Sequence, residues 1–219
     1  MSRLSQRLSV IAERLSGAYG RPRRRRSDPL SELIETVLSQ NTSDVNSGRA
    51  FRSLRAAFPS WTAVARARPA AIERAIRPGG LARIKSRRIR LVLRAVRERE
   101  GGYHLRSLRG LSLAAAQERL LGLPGVGPKT RACVLLFACG LPAFPVDTHV
   151  HRIVRRLGLV DERASAEAAH ARLEPAVPPS RALDLHLNLI RLGRELCRPR
   201  APRCERCPLR RLCPHAASA

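Results

Sequence analysis

Apolar residues recur at helical spacing along nearly the whole chain, and that period limits the fold to one built from helices. Leu4, Leu8, Ile11 and Leu15 form one stripe, and Leu30, Leu33, Ile34, Val37 and Leu38 form a second at i, i+3, i+4, i+7, i+8. Asp28 can cap the second helix, and Pro29 suits its first turn. Further helices are predicted over about 48–57, 61–66, 69–76, 83–99, 113–121, 129–139, 147–157, 165–173 and 180–196, with Gly or Pro between most of them. Leu183-Asp184-Leu185-His186-Leu187-Asn188-Leu189 alternates as a half-buried strand would. Leu183, Leu187 and Ile190 also share one side of a helix, and no partner strand is evident, so the segment reads as helix. Arg21 to Arg26, between the first two helices, offers no apolar side chain to a core and reads as a solvated connector.

A chain of 219 residues can bury one generous core or two modest ones. Its formal net charge of +25 is spread along the sequence, which points to a polyanion as partner. A membrane surface is the competing polyanion, but no apolar run reaches spanning length and no signal segment opens the chain. The expectation is a soluble, monomeric protein of the cytoplasm, nucleoid-associated if bacterial. Four of the six cysteines crowd into the end of the chain, a pattern that fits metal binding better than a disulfide framework.

Only two of the 42 basic residues are lysines, Lys85 and Lys129. Where positive charge alone would serve, this sequence uses arginine, so a lysine in a glycine-rich turn suggests chemistry that a guanidinium cannot perform. An amine can be deprotonated and attack carbon. Lys129 follows Leu123-Pro124-Gly125-Val126-Gly127-Pro128 and precedes Thr130, between two apolar helices. Such a hairpin offers the backbone N–H groups of Gly125, Val126 and Gly127 and a helix N-terminus to a DNA phosphate. Eighteen residues on, Asp147 opens another predicted helix in Val146-Asp147-Thr148-His149-Val150-His151. An Asp there is an N-cap in most proteins, but side-by-side packing of the two helices would bring amine and carboxylate to one mouth. Cys133 and Cys139 are assigned to packing.

Cys197, Cys204, Cys207 and Cys213 are spaced C-x6-C-x2-C-x5-C. Four thiolates in so short a span can ligate Zn²⁺ or a [4Fe–4S] cluster, and ligand chemistry leaves both open. Arg198, Arg200 and Arg203 lie between the first two cysteines, where backbone phosphates are their natural target.

The hairpin, the V-D-T-H segment and the distance between them resemble the endonuclease III family of the helix-hairpin-helix (HhH-GPD) DNA glycosylase superfamily. The likeness runs from about residue 5 to residue 213. It implies an all-α, two-lobed fold with a DNA groove between a helical barrel domain, 28–141, and a cluster domain assembled from 1–27 and 142–219. It tips the cysteine set to [4Fe–4S]. It also implies a bifunctional DNA glycosylase and abasic-site lyase of base excision repair, acting on damaged, oxidised pyrimidine bases in duplex DNA. Lys129 would attack C1′ and form a Schiff base; Asp147 would stabilise the positive charge developing on the sugar. An extruded nucleotide leaves a gap. Leu81, in Gly79-Gly80-Leu81-Ala82-Arg83-Ile84-Lys85, matches the family's apolar plug, and Gln40 and Asn41 lie in the segment that brings a polar side chain into the vacated stack. Arg83, Lys85, Thr130 and His149 complete the set of implied DNA contacts. The sequence departs from the family at Asn41, where glutamine is expected, at Arg83, in place of a smaller polar residue, and at His151, in place of a bulkier apolar or aromatic one. A monofunctional mismatch glycosylase and a non-enzymatic DNA-binding protein are the alternatives. Lys129 argues against the first, and Asp147 with Leu81 against the second.

Overall fold

The computed structural model describes residues 2–24 and 27–217. Twelve α-helices follow one another among the described residues: α1 Arg3–Tyr19, α2 Pro29–Ser39, α3 Asp44–Ala57, α4 Trp61–Arg66, α5 Pro69–Ile76, α6 Ala82–Glu100, α7 Leu113–Leu120, α8 Pro128–Cys133, α9 Thr148–Arg156, α10 Ala166–Leu173, α11 Ala182–Glu195 and α12 Pro214–Ala217. No strand occurs among the described residues, so the expected all-α class is what the chain adopts. The basic connector is described only as far as Arg24; Arg25 and Arg26 lie outside the described residues. The chain forms two compact units, Arg26–Cys139 and Met1–Arg25 with Gly140–Ala219.

In the unit Arg26–Cys139 the centre is α2. Its apolar positions surround more than one stripe, and Leu30, Leu33, Ile34, Val37 and Leu38 are all fully buried. A helix apolar on several sides must be covered on several sides. Accordingly α3, α6 and α8 all pack on it. Truncating one of these leucines to alanine costs about 2–5 kcal/mol, because the removed atoms leave a cavity that rigid neighbours cannot close. Asp28 caps α2 as expected, accepting from Ser31 N at 2.9 Å. Helix α3 begins four residues before the expected start at 48, because Ser43 caps it by accepting from Asn46 N. The segment expected as one helix over 129–139 is α8 followed by a π-helical stretch, Val134–Cys139. That stretch buries Val134, Leu135 and Leu136.

In the other unit α1 lays Leu8, Ile11 and Leu15 into the core beside α11. The alternating segment of α11 is helical, but its buried side differs from the expected one. Leu183, Leu187 and Ile190 are only half-buried, whereas Leu185, Leu189 and Leu192 are buried together with Asp184, His186 and Asn188. The polar residues face inward because each finds a partner there. Ser16 Oγ donates to Asp184 Oδ2 at 2.9 Å, Arg181 Nε donates to the same oxygen at 3.0 Å, and Asn188 Nδ2 donates to the carbonyl of Gly20 at 3.0 Å. His186 meets the edge of Phe144 with ring centres 6.1 Å apart. Burying polar atoms is tolerated where hydrogen bonds replace water.

Candidate functional site

Within Arg26–Cys139, three turns carry most of the residues singled out by sequence. The first is the hairpin between α7 and α8. Gly125 has φ +71°, in the left-handed region, and a Cβ there would stand 2.6 Å from Cδ and Nε of Arg88. Glycine is therefore required twice over at this point, by the backbone and by the arginine lying across it. Val126 N–H donates to the Leu123 carbonyl at 3.1 Å and closes the turn. Val126 and Thr130, both expected to touch DNA, are buried at 8% and 4% exposure, and the turn itself takes up the Val126 N–H. Lys129 sits half-buried in the first turn of α8, and no ion pair engages its ammonium among the described residues.

Glu32 on α2 was not singled out by sequence. Burial pushes its carboxyl up from the ordinary value, and repulsion from Glu35 adds to this; a hydrogen bond from Ser27 Oγ and the positive charge of Lys129 pull the other way. The nucleophile candidate thus shares its surroundings with a partly desolvated carboxyl group.

The second turn precedes α6. Leu81 holds φ +51° and is 49% exposed, so it is not a core leucine. Left-handed backbone at a residue with a Cβ costs about 1–2 kcal/mol, and the surrounding turn has to hold it. Gly79 is buried, where a Cβ would stand 2.9 Å from Ala50 Cβ. Ile84, one helical turn beyond Leu81, is 55% exposed and adds a second apolar side chain to the same end of α6. Arg83 between them is exposed.

Lys85 corrects the expectation of a phosphate contact. Its side chain is 2% exposed, and Nζ donates to the carbonyls of Leu38 at 2.7 Å and Gly79 at 2.9 Å. Burial lowers its pKa. The physical reason is register: Lys85 lies on the same face of α6 as the buried Ile89, Val92 and Val96. That periodicity places Lys85 on the apolar face, but the carbonyls that let an ammonium stay enclosed there come from the fold.

The third turn ends α2. Asn41 is exposed with φ +53°, a conformation that asparagine tolerates better than most residues. Gln40, expected to reach toward DNA, has its amide engaged inside the unit: Oε1 accepts from Arg88, and Nε2 donates to Gly125 O and Thr130 Oγ1, each at 3.4 Å.

In the unit containing Gly140–Ala219, Asp147 caps α9, with Oδ1 accepting from Val150 N at 2.8 Å. Capping engages one oxygen of this half-buried side chain at the head of the helix. His149 packs on Gly193, where a Cβ would stand 2.8 Å from Nδ1. His151, one of the departures from the family, donates Nε2–H to the carbonyl of Ala164 at 2.8 Å and so ties down the loop before α10.

None of the six cysteines forms a disulfide. Cys197, Cys204, Cys207 and Cys213 line one cavity with Leu196, Pro202 and His215. Burial, followed by the neighbouring sulfurs, raises the thiol pKa of Cys204; at Cys207 the same two causes outweigh a backbone hydrogen bond from Leu209. A cationic core would remove that repulsion and is what this all-sulfur donor set fits. Among the described residues no three His, Cys, Asp or Glu side chains close around a single ion. Arg152 and Arg156, missed by sequence, hold the loop: Arg152 Nε donates to the Cys197 carbonyl at 3.0 Å, and Arg156 donates to the carbonyls of Arg198 at 2.8 Å and Pro199 at 3.1 Å. Arg198, Arg200 and Arg203 remain exposed. Among the described residues no helix is long and apolar enough to cross a membrane.

A family model described as HhH-GPD superfamily base excision DNA repair protein matches residues 34–179. Endonuclease III of Thermotoga maritima is 37% identical over 187 residues, which cover 85% of this chain and 83% of that protein. An Arabidopsis thaliana protein named as a DNA glycosylase is 41% identical over 165 residues, 75% of this chain; the match spans 56% of the plant protein, little more than half its length. A solved structure of a trapped endonuclease III–DNA covalent intermediate matches with a TM-score of 0.83 at 26% identity, covering 98% of this chain and 97% of that one.

Proposed function

Because this chain belongs to the HhH-GPD superfamily of base excision DNA repair proteins as an endonuclease III-like DNA glycosylase, we propose that it is bifunctional, removing oxidised pyrimidines from duplex DNA and then cleaving the strand. One observation carries this reading. Of the two lysines, Lys85 is enclosed with its ammonium bonded to two carbonyls, which leaves Lys129 as the lysine amine available to a substrate.

The neutral amine of Lys129 attacks C1′ of the extruded nucleotide, so that the C1′–N bond forms as the glycosidic bond breaks and the base departs with a proton. Opening of the sugar ring gives a Schiff base; loss of a C2′ proton then expels the 3′ phosphate oxygen. Asp147 is the anion that offsets positive charge on the sugar in the first step. Leu81, with no place in the core, fills the stack that the extruded nucleotide leaves. The partner is double-stranded DNA carrying a damaged base or an abasic site, held through phosphates by arginines such as Arg198, Arg200 and Arg203.

A [4Fe–4S] cluster on Cys197, Cys204, Cys207 and Cys213 is the cofactor this reading assigns. When bound it supplies a rigid, positively charged core to the loop that displays those arginines. Four cysteines lining one cavity supply the thiolates that such a cluster needs, and the family resemblance favours it over Zn²⁺.

Borohydride reduction on a duplex with one abasic site tests the lyase. Wild type is expected to give a covalent adduct; Lys129→Ala is expected to bind the duplex and give none. An equal adduct from the alanine variant assigns the nucleophile elsewhere. Metal analysis showing zinc instead of iron would overturn the cluster.

A further inference from the structure

Helix α6 carries two cations one turn apart whose charged groups are engaged within the protein. Lys85 binds the ends of two turns, as described above. Arg88 is half-buried. It donates NH1 to Gln40 Oε1, and its Cδ and Nε lie so close over Gly125 that a Cβ there would meet both at 2.6 Å. Gln40 relays this contact by donating Nε2 to Gly125 O and Thr130 Oγ1. One guanidinium therefore presses the end of α2 onto the hairpin turn, and the helix after that turn begins at Pro128, one residue before Lys129.

The contacts from Gln40 Nε2 to Gly125 O and Thr130 Oγ1 are long, 3.4 Å each, and Arg88 holds the oxygen end of the same amide. Arg88 is suited to this because a planar guanidinium can lie flat over a glycine while directing an N–H sideways. A lysine carries its three donors on one rotating atom and has no planar group to lay over the glycine while it directs an N–H sideways. Lys85 and Arg88 together make α6 a tie bar: Lys85 joins Leu38 to Gly79, and Arg88 joins Gln40 to Gly125.

We propose that Arg88 is a positioning residue for the reaction at Lys129: by clamping Gln40 against Gly125 it fixes the start of α8, and with it the amine, relative to the exposed Asn41 beside it. This rests on the reading of Lys129 as nucleophile. A displaced reacting group of the order of 1 Å can lower a rate by about 100-fold without weakening binding.

The test compares Arg88→Ala, Arg88→Lys and Gln40→Ala with wild type on an abasic-site duplex. Three quantities are measured: the single-turnover trapping rate at saturating protein, the affinity over a range of salt, and amide exchange of the peptides over 38–42 and 123–130. Arg88→Ala is expected to trap about 10- to 100-fold more slowly, with its salt dependence of binding unchanged and faster exchange in both peptides. Arg88→Lys should not restore the rate. Gln40→Ala should give a similar loss, and the double variant little more, because both remove one contact. An unchanged rate overturns the proposal. So does an affinity loss with a salt slope smaller by about 0.9 that lysine repairs, since that marks a phosphate contact. If wild type itself gives no adduct, the lyase reading fails, and exchange over 123–130 still decides: unchanged exchange in Arg88→Ala sinks the clamp. If Arg88→Ala does not fold, Gln40→Ala tests the same contact from the other side.

Discussion

Arg156 and Cys197 form a reciprocal pin with the cysteine loop: Arg156 NH1 donates to Cys197 Sγ at 3.3 Å, while the Arg156 carbonyl accepts from Cys213 Sγ at 3.3 Å. A guanidinium is a charge-assisted donor to the sulfur it faces. The same side chain also holds the carbonyls of Arg198 and Pro199. Arg156→Ala should therefore lower the iron content and visible absorption of the purified protein, and Arg156→Lys should recover only part of it. Full iron content in the alanine variant would show that the loop holds its shape without the pin.

Leu81 combines an unfavourable backbone with an exposed side chain. Leu81→Gly should relieve the left-handed strain and raise unfolding free energy by about 0.5–1 kcal/mol, the strain relief exceeding the entropy cost of the new glycine. Excision of a damaged base should fall by at least about 10-fold, since nothing then fills the stack. Paired chemical-denaturation and single-turnover measurements check both halves. A variant that lost stability as well would place Leu81 among the packing residues.

Lys85→Met keeps the length of the side chain and removes the donor from two carbonyls. Stability should fall by about 2–4 kcal/mol, the cost of leaving two buried acceptors unmatched. The slope of log affinity against log salt should stay as in wild type, whereas a phosphate contact would reduce it by about 0.9.

Glu32 gives a pH signature. Its folded-state pKa is raised, with burial the main cause, so its contribution is most favourable below the ordinary carboxylate value and declines as pH rises through the raised one. Glu32→Gln should thus gain on wild type as pH is brought from about 4 to neutrality. Denaturation curves across that range check the sign; a growing deficit of the glutamine variant toward neutral pH would contradict it.

Much of this protein was legible because it is local. The stripes of α1 and α2 follow from periodicity, Asp28 and Pro29 mark a helix start, and the spacing of Cys197, Cys204, Cys207 and Cys213 is a property of the chain itself. Where the reading failed, a short-range rule met a long-range partner. Leu183, Leu187 and Ile190 were read as sharing one side of a helix, yet they are only half-buried while Asp184 and Asn188 are buried, because Ser16 and Gly20, 168 residues earlier, supply their hydrogen bonds. Gln40 was read as facing DNA because nothing near it in sequence discloses Arg88.

The two lysines show where the division falls. By itself the sequence determined that the chain is helical, that a glycine turn introduces Lys129, and that the thiols lie together, since periodicity, turn chemistry and spacing act over a few residues. Only the tertiary structure decided that Lys85 is enclosed while Lys129 is not. Both follow a glycine-containing turn near the start of a helix, and their difference arises from which carbonyls and apolar side chains the rest of the fold brings to each.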